Sequence, residues 1–324
     1  MKARILPSLA VAAGLSMLAS PSHAATDAIG FGIISTESTR NLKTAWAPLL
    51  ADMEKAVGVK VNAFFAPDYA GIIEAMRFNK VQLGWFGNKS AIEAVDRSQG
   101  EVFARNVNKD GTEGYYSLLV VHKDSPLRSL DDVLKHRATL TLGFGDPNST
   151  SGTVVPGYYA FANNGVDPTR DFKRTVRANH ETNLLAVLGK QVDVVTNNTE
   201  AIERLKHTQP GKADELREIW RSPLIPSDPI VWRKDLDPAM KAKVRDFMLN
   251  YGSKPEQKKI VEALNWSGFR ASSDRQLVPI RQIELAKARA KLDADTAMDA
   301  AEKQRRIGEI DGQLKQLQAQ LAQK

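Results

Sequence analysis

The 324-residue sequence contains no cysteine. That excludes disulfides, a thiol nucleophile and a thiol-linked lipid anchor, so the fold must rest on packing alone. Its five histidines, His23, His122, His136, His180 and His207, are scattered, with no metal-ligand spacing such as H-E-x-x-H. No metal or cofactor is expected. No run beyond the N-terminal segment approaches the ~20 apolar residues of a membrane span. Basic residues are spread along the chain and alternate with acids, and no nucleic-acid-reading module is present. A nucleic-acid partner is therefore not expected, despite a formal net charge of +7.

What is present begins with Met1-Lys2-Ala3-Arg4, an apolar run from Ile5 to Ala19, and then Ser20-Pro21-Ser22-His23-Ala24. A basic start, an apolar stretch too short to span and a small-x-Ala site predict a secretory signal over residues 1–24, cleaved after Ala24. Loss of Lys2 and Arg4 would lower the net charge from +7 to +5. Roughly 300 mature residues suffice for two domains of about 150, each with its own core.

From Ile29 to about Arg233, short β-rich runs alternate with helical patterns. Strands are expected over Ile29–Ser35, Val59–Phe65, Gln82–Phe86, Tyr116–His122, Thr139–Phe144 and Gln191–Thr196. Helices are expected over Leu42–Val57, Tyr69–Phe78, Asn88–Asp96, Gly152–Asn163 and Glu181–Leu188. Alternation of this kind predicts an α/β fold with largely parallel sheets. The apolar runs Leu118–Val121 and Pro229–Trp232 sit where extended chain could cross between lobes. The expected division is a discontinuous first lobe (residues 25–120 and 230–276), a continuous second lobe (121–229), and a site in the cleft between them. Two parallel extended connections would form the hinge.

Residues 277–324 change to Ala, Gln, Lys, Arg and Glu and read as a long helical extension. Ile307, Ile310, Leu314, Leu317 and Leu321 follow the 3-4-3-4 spacing of a helix-pair seam. The seam predicts either packing back on the body or a homodimer through this helix.

The segment Gly145-Asp146-Pro147-Asn148-Ser149-Thr150-Ser151-Gly152 follows an expected strand and opens an expected helix. Hydroxyls and free N–H groups at a helix start suit an anion with several oxygens, although the same residues cap ordinary helices. Six stretches in order carry a wider resemblance: Phe31–Ser38, Phe65–Gly71, Asp146–Gly152, His180–Asn183, Thr196–Glu200 and Ser222–Trp232. Together they resemble the periplasmic phosphonate-binding components of phosphonate ABC transporters, the PhnD family, over nearly the whole mature chain.

The resemblance implies a two-lobed type II periplasmic binding-protein fold, periplasmic location and delivery of ligand to an inner-membrane ABC permease. It implies that Ser149, Thr150 and Ser151 contact the phosphonate group, helped by His180, Tyr69 and Tyr115, and that Glu200 and Asp228 take a ligand ammonium. Phe86 stands where close relatives can carry Tyr, so a hydroxyl contact from that position is lost. Charge neutralisation of the phosphonate is expected from the helix terminus and a protonated His180, without Arg or Lys. Two carboxylates near a bound anion need a cation between them. Hence 2-aminoethylphosphonate is the expected ligand, with phosphate, phosphite or another oxyanion as the alternative. The acid pair could also serve acid/base chemistry, but with no metal and no base-activated nucleophile an enzyme is not expected.

Overall fold

The computed structural model describes residues 28–322; the expected signal over 1–24 lies outside them. In chain order the first lobe opens with β1 (Ala28–Ile33), α1 (Thr39–Val57), β2 (Lys60–Phe65), α2 (Tyr69–Arg77), β3 (Leu83–Trp85), α3 (Asn88–Arg97) and β4 (Gly100–Asn108). A short β5 (Gly114–Tyr115) leads to the second lobe: β6 (Ser117–His122), α4 (Leu130–His136), β7 (Thr141–Phe144), a helix with π-helical turns at Thr150–Val154 and Gly157–Phe161, β8 (Arg174–Arg177), α5 (His180–Leu188), β9 (Val194–Asn198), α6 (Thr199–Thr208) and β10 (Leu216–Arg221). The chain returns through β11 (Ile225–Pro226) to β12 (Pro229–Arg233), α7 (Pro238–Asn250), α8 (Pro255–Ala263) and β13 (Trp266–Ala271), and ends in α9 (Val278–Ala294) and α10 (Ala300–Ala322).

Polar residues start the helices where the chain leaves a strand. Ser38, Asp68, Asn179 and Asn198 each accept an N–H from the first turn of the helix that follows, satisfying donors that have no acceptor within the helix. Gly58 ends α1 at φ 78°, a left-handed conformation that glycine adopts without a Cβ clash.

The first sheet runs β13-β4-β12-β3-β1-β2, and the second β10-β6-β9-β7-β8. Both are mixed, where largely parallel sheets are expected from sequence. β12 pairs antiparallel with β3 and β4, and β6 antiparallel with β9 and β10. The reason is topological. Each strand enters its sheet from the crossing between lobes, at the edge where its parallel neighbours end, and so must run against them. The crossings themselves also differ from expectation: β5 and β11 pair antiparallel, because one leaves the first lobe and the other returns. A boundary at 120/121 falls inside β6, which pairs in the second sheet from Ser117 onward.

Each lobe has its own core. Trp46, Trp85 and Trp266 pack with centroids 5.4–5.7 Å apart in the first. Phe144, Phe161 and Phe172 play that part in the second. Phe86 is fully buried in the first core.

The single long helix expected after residue 277 is a hairpin of two. Asp295 Oδ1 accepts the N–H groups of Ala297 and Met298, and Asp299 Oδ1 those of Ala301 and Glu302, so side-chain acceptors stop one helix and start the next. Along the seam of α10, Ile307 is buried, Ile310, Leu314 and Leu317 are half-buried, and Leu321 is exposed.

Candidate functional site

Residues following the C-terminal ends of β1, β2, β3, β7, β8 and β9 converge on one cavity between the sheets. It is lined by Thr36 and Tyr69 of the first lobe, Ser149, Thr150, Ser151 and His180 of the second, and Tyr115 and Asp228 of the crossings, among others. All eight residues expected from sequence line it. None is more than 6 % exposed, the figure for Glu200. Ligands of open α/β sheets gather at the carboxyl ends of strands, where loop backbones and helix starts are free to contact them.

At one end the wall is made of hydroxyls. Ser149 Oγ accepts Gly152 N at 3.0 Å, Thr150 Oγ1 accepts Lys89 N at 2.8 Å, and Ser151 Oγ accepts Asn198 Nδ2 at 3.0 Å. Each oxygen already accepts one N–H, which leaves its own proton free to be donated into the cavity. The helix that follows begins wide, because Ser149 O accepts from both Thr153 N and Val154 N, at 3.2 and 3.1 Å. Such π turns recur at functional sites. Ser117 Oγ and Thr196 Oγ1 donate to the carbonyls of Ser151 and Gly152, at 2.6 and 2.7 Å, which ties those acceptors away from a bound anion. The close approach of the loop to itself requires glycine: a Cβ on Gly145 would lie 2.5 Å from Gly152 Cα.

His180 Nε2 lies 3.3 Å from Ser149 Oγ and 3.5 Å from Ser151 Oγ. Burial, with the nearby Arg204 cation adding to it, lowers its pKa to about 4. The imidazole is therefore neutral near pH 7 in the empty site, in contrast to the protonated His180 expected from sequence. A neutral ring still presents an N–H to an anion.

The other end is acidic. Tyr115 Oη donates to Asp228 Oδ1 at 2.9 Å, which puts this phenol beside the acid rather than among the hydroxyls of the loop. Burial and the neighbouring Glu200 charge push the Asp228 carboxyl well above its ordinary range, and burial raises Glu200, with Arg204 opposing it. Tyr69 stands between the two ends, near Ser149 and Asp228, and burial keeps it a neutral phenol. Among the described residues, Glu200 Oε1, Thr36 Oγ1, Trp85 Nε1 and His180 Nδ1 have no hydrogen-bond partner. Buried polar atoms left open in this way mark a cavity prepared for a polar occupant.

The cavity thus sets hydroxyl donors at one end against buried acids at the other, walled by residues of both lobes. A model of the family described as ABC transporter, phosphonate, periplasmic substrate-binding protein matches residues 31–277. The chain belongs to that family. It is 57 % identical over 321 residues, 98 % of this chain and 95 % of its relative, to the phosphonates-binding periplasmic protein of Escherichia coli. A binding-protein component of a phosphonate ABC transporter from Pseudomonas aeruginosa superimposes with a TM-score of 0.88 at 55 % identity, covering 91 % of this chain and 98 % of that one. A probable phosphite-binding protein of an ABC transporter from Prochlorococcus marinus is 22 % identical over 280 residues, 83 % of this chain and 92 % of its relative. As a member of the family this chain is a periplasmic binding component of a phosphonate ABC transporter, with the type II fold and a permease partner, and not an enzyme.

Sequence reasoning missed Thr36, Trp85, Asn198 and Arg204, which also line the cavity. Arg204 departs most from expectation, since no Arg or Lys was expected at the ligand. Its signal was the i,i+4 spacing from Glu200, which puts both on one face of α6. Asn198 does two jobs with one amide: Oδ1 caps α6 through Ala201 N at 2.7 Å while Nδ2 holds Ser151.

Proposed function

We propose that this binding protein takes 2-aminoethylphosphonate, with the phosphonate on Ser149, Thr150, Ser151, His180 and Tyr69 and the ammonium between Glu200, Asp228 and Tyr115. The observation that carries the reading is the buried pair of carboxylates opposite a wall of hydroxyl donors. Two carboxylates in a water-poor cavity repel each other and a bound anion, and a ligand cation between them relieves both. Arg204, a cation on the cavity wall, is paired with Glu37. Phosphate or phosphite would satisfy the hydroxyl end and leave the acids unpaired.

Calorimetric titration of 2-aminoethylphosphonate and ethylphosphonate against the wild type and the Glu200→Gln variant tests this. The amine-bearing ligand is expected to weaken, and ethylphosphonate to bind equally or more tightly, because the carboxylate opposes an amine-free anion. Equal effects on both ligands would make the chain a general oxyanion receptor. Ligand is expected to close the lobes about β5 and β11, seen as a smaller radius of gyration in solution scattering; an unchanged profile would count against closure. A homodimer through the half-buried seam of α10 is part of the same proposal, supported by the apolar positions that α9 leaves half-covered.

A further inference from the structure

Beside the ligand cavity lies a group of charged side chains that ligand recognition leaves unused. The loop after β1 belongs to the first lobe, and the starts of α5 and α6 to the second. Glu37 Oε1 of that loop lies 2.6 Å from Arg204 Nε of α6, with the two side chains 14 and 16 % exposed. Glu181, at the start of α5, reaches the other way: its carboxylate accepts Ser38 N and Asn41 Nδ2, each at 2.6 Å. Its own N–H donates to Thr36 O at 3.2 Å. Four contacts thus join one six-residue strip of the first lobe to the start of α5 and the middle of α6 in the second.

We propose that Glu37, Arg204 and Glu181 are positioning residues that form an interlobe latch and set how slowly a captured ligand leaves. The proposal rests on two-lobed capture, not on the identity of the amine. Each of these contacts joins groups of opposite lobes, so each exists only when the lobes are together. An interaction present in one of two states shifts the equilibrium toward it by its own differential free energy. Ser38 caps α1, so the Glu181 carboxylate also meets the positive end of that helix. Glu37 and Glu181 line a neighbouring cavity with Leu184 and Leu205 and are absent from the ligand cavity, whereas Arg204 borders both. Glu37 and Glu181 therefore do not read ligand chemistry, and losing either should act alike on every ligand the cavity holds.

Stopped-flow association and dissociation of the full chain with 2-aminoethylphosphonate and with ethylphosphonate tests the latch. Glu37→Gln is expected to raise the dissociation rate of both ligands about tenfold, with association changed by no more than about twofold, as losing one partner of a buried charge pair acts on release. Glu181→Gln, outside the ligand cavity, should show the same common rise, and Glu37→Gln added to Arg204→Gln should raise release little beyond Arg204→Gln alone. An unchanged release rate in Glu37→Gln, a rise confined to the amine-bearing ligand, or a loss carried by association would each overturn the proposal. Should Arg204→Gln fail to fold, Glu37→Gln, in a loop outside the cavity, decides alone. A failure of amine recognition shows instead as the two ligands responding alike to Glu200→Gln, whatever their release rates.

Discussion

The two ends of the cavity are built in opposite ways. The hydroxyl end comes from three consecutive residues, Ser149 to Ser151, whose oxygens are pre-engaged by N–H donors and carry no formal charge. The acidic end joins Glu200 of α6 to Asp228 and Tyr115 of the two crossings, and buries two carboxylates. Neutral donors cost little to keep in an empty cavity. Buried like charges are held only against their own desolvation and repulsion, so the acidic end costs the folded protein stability, and under the proposed function it supplies selectivity in return.

That contrast can be broken first at Asp228. Asp228→Asn keeps the shape and removes a buried charge that, in the proposed complex, faces the ligand amine. 2-Aminoethylphosphonate should weaken by about 2–5 kcal/mol, the usual loss for one partner of a buried charge pair, while ethylphosphonate holds or gains in the same titrations. Unequal losses are the point; parallel ones would contradict the division between ends.

Thr150→Ala should cost both ligands alike, by about 1.5–3 kcal/mol, the loss of one hydrogen bond to a charged group. If only one ligand weakened, the hydroxyl end would not be the common anchor.

The ligand-free protein sharpens the comparison from the stability side. A carboxyl raised in the folded state binds its proton more tightly there than when unfolded, so stability is greatest at low pH and falls as pH rises toward the folded pKa. Asp228→Asn should therefore raise the Tm of the empty protein near pH 8, by about 2–4 °C for each kcal/mol relieved, with the gain shrinking toward pH 5. His180 works in the opposite sense. Lowered to about 4 from 6.5, it adds stability that is complete above pH 6.5 and lost as pH falls toward 4, a slope that His180→Gln should flatten in the same thermal scans.

The smallest effect is expected far from both ends. Leu317→Glu with Leu321→Glu on α10 should leave ligand affinity unchanged and convert a dimer to a monomer in sedimentation. An identical mass for wild type and variant would remove the homodimer from the proposal.

Local signals led to much of this architecture. Strand and helix periods located β1, β2, α1, α2 and α3 to within a few residues; the Ser-Thr-Ser loop read locally as either a helix cap or an anion site, and the family resemblance favoured the second. β4, paired between β13 and β12 in the first sheet, went unrecognised, since Arg105 and Asn106 break its apolar pattern. The Asp295 and Asp299 caps that fold α9 against α10 stood in the sequence, but helix-forming composition on either side outweighed them.

The α/β alternation was readable from the sequence because it depends on spacing within single elements, whereas the site residues were named from the family resemblance across the whole chain. Only the tertiary structure decided which strands run antiparallel, that His180 is neutral, and that Arg204 stands on the cavity wall. These follow from burial and from contacts between residues far apart in the chain; the i,i+4 spacing of Glu200 and Arg204 puts both on one face of α6 but does not say what that face meets.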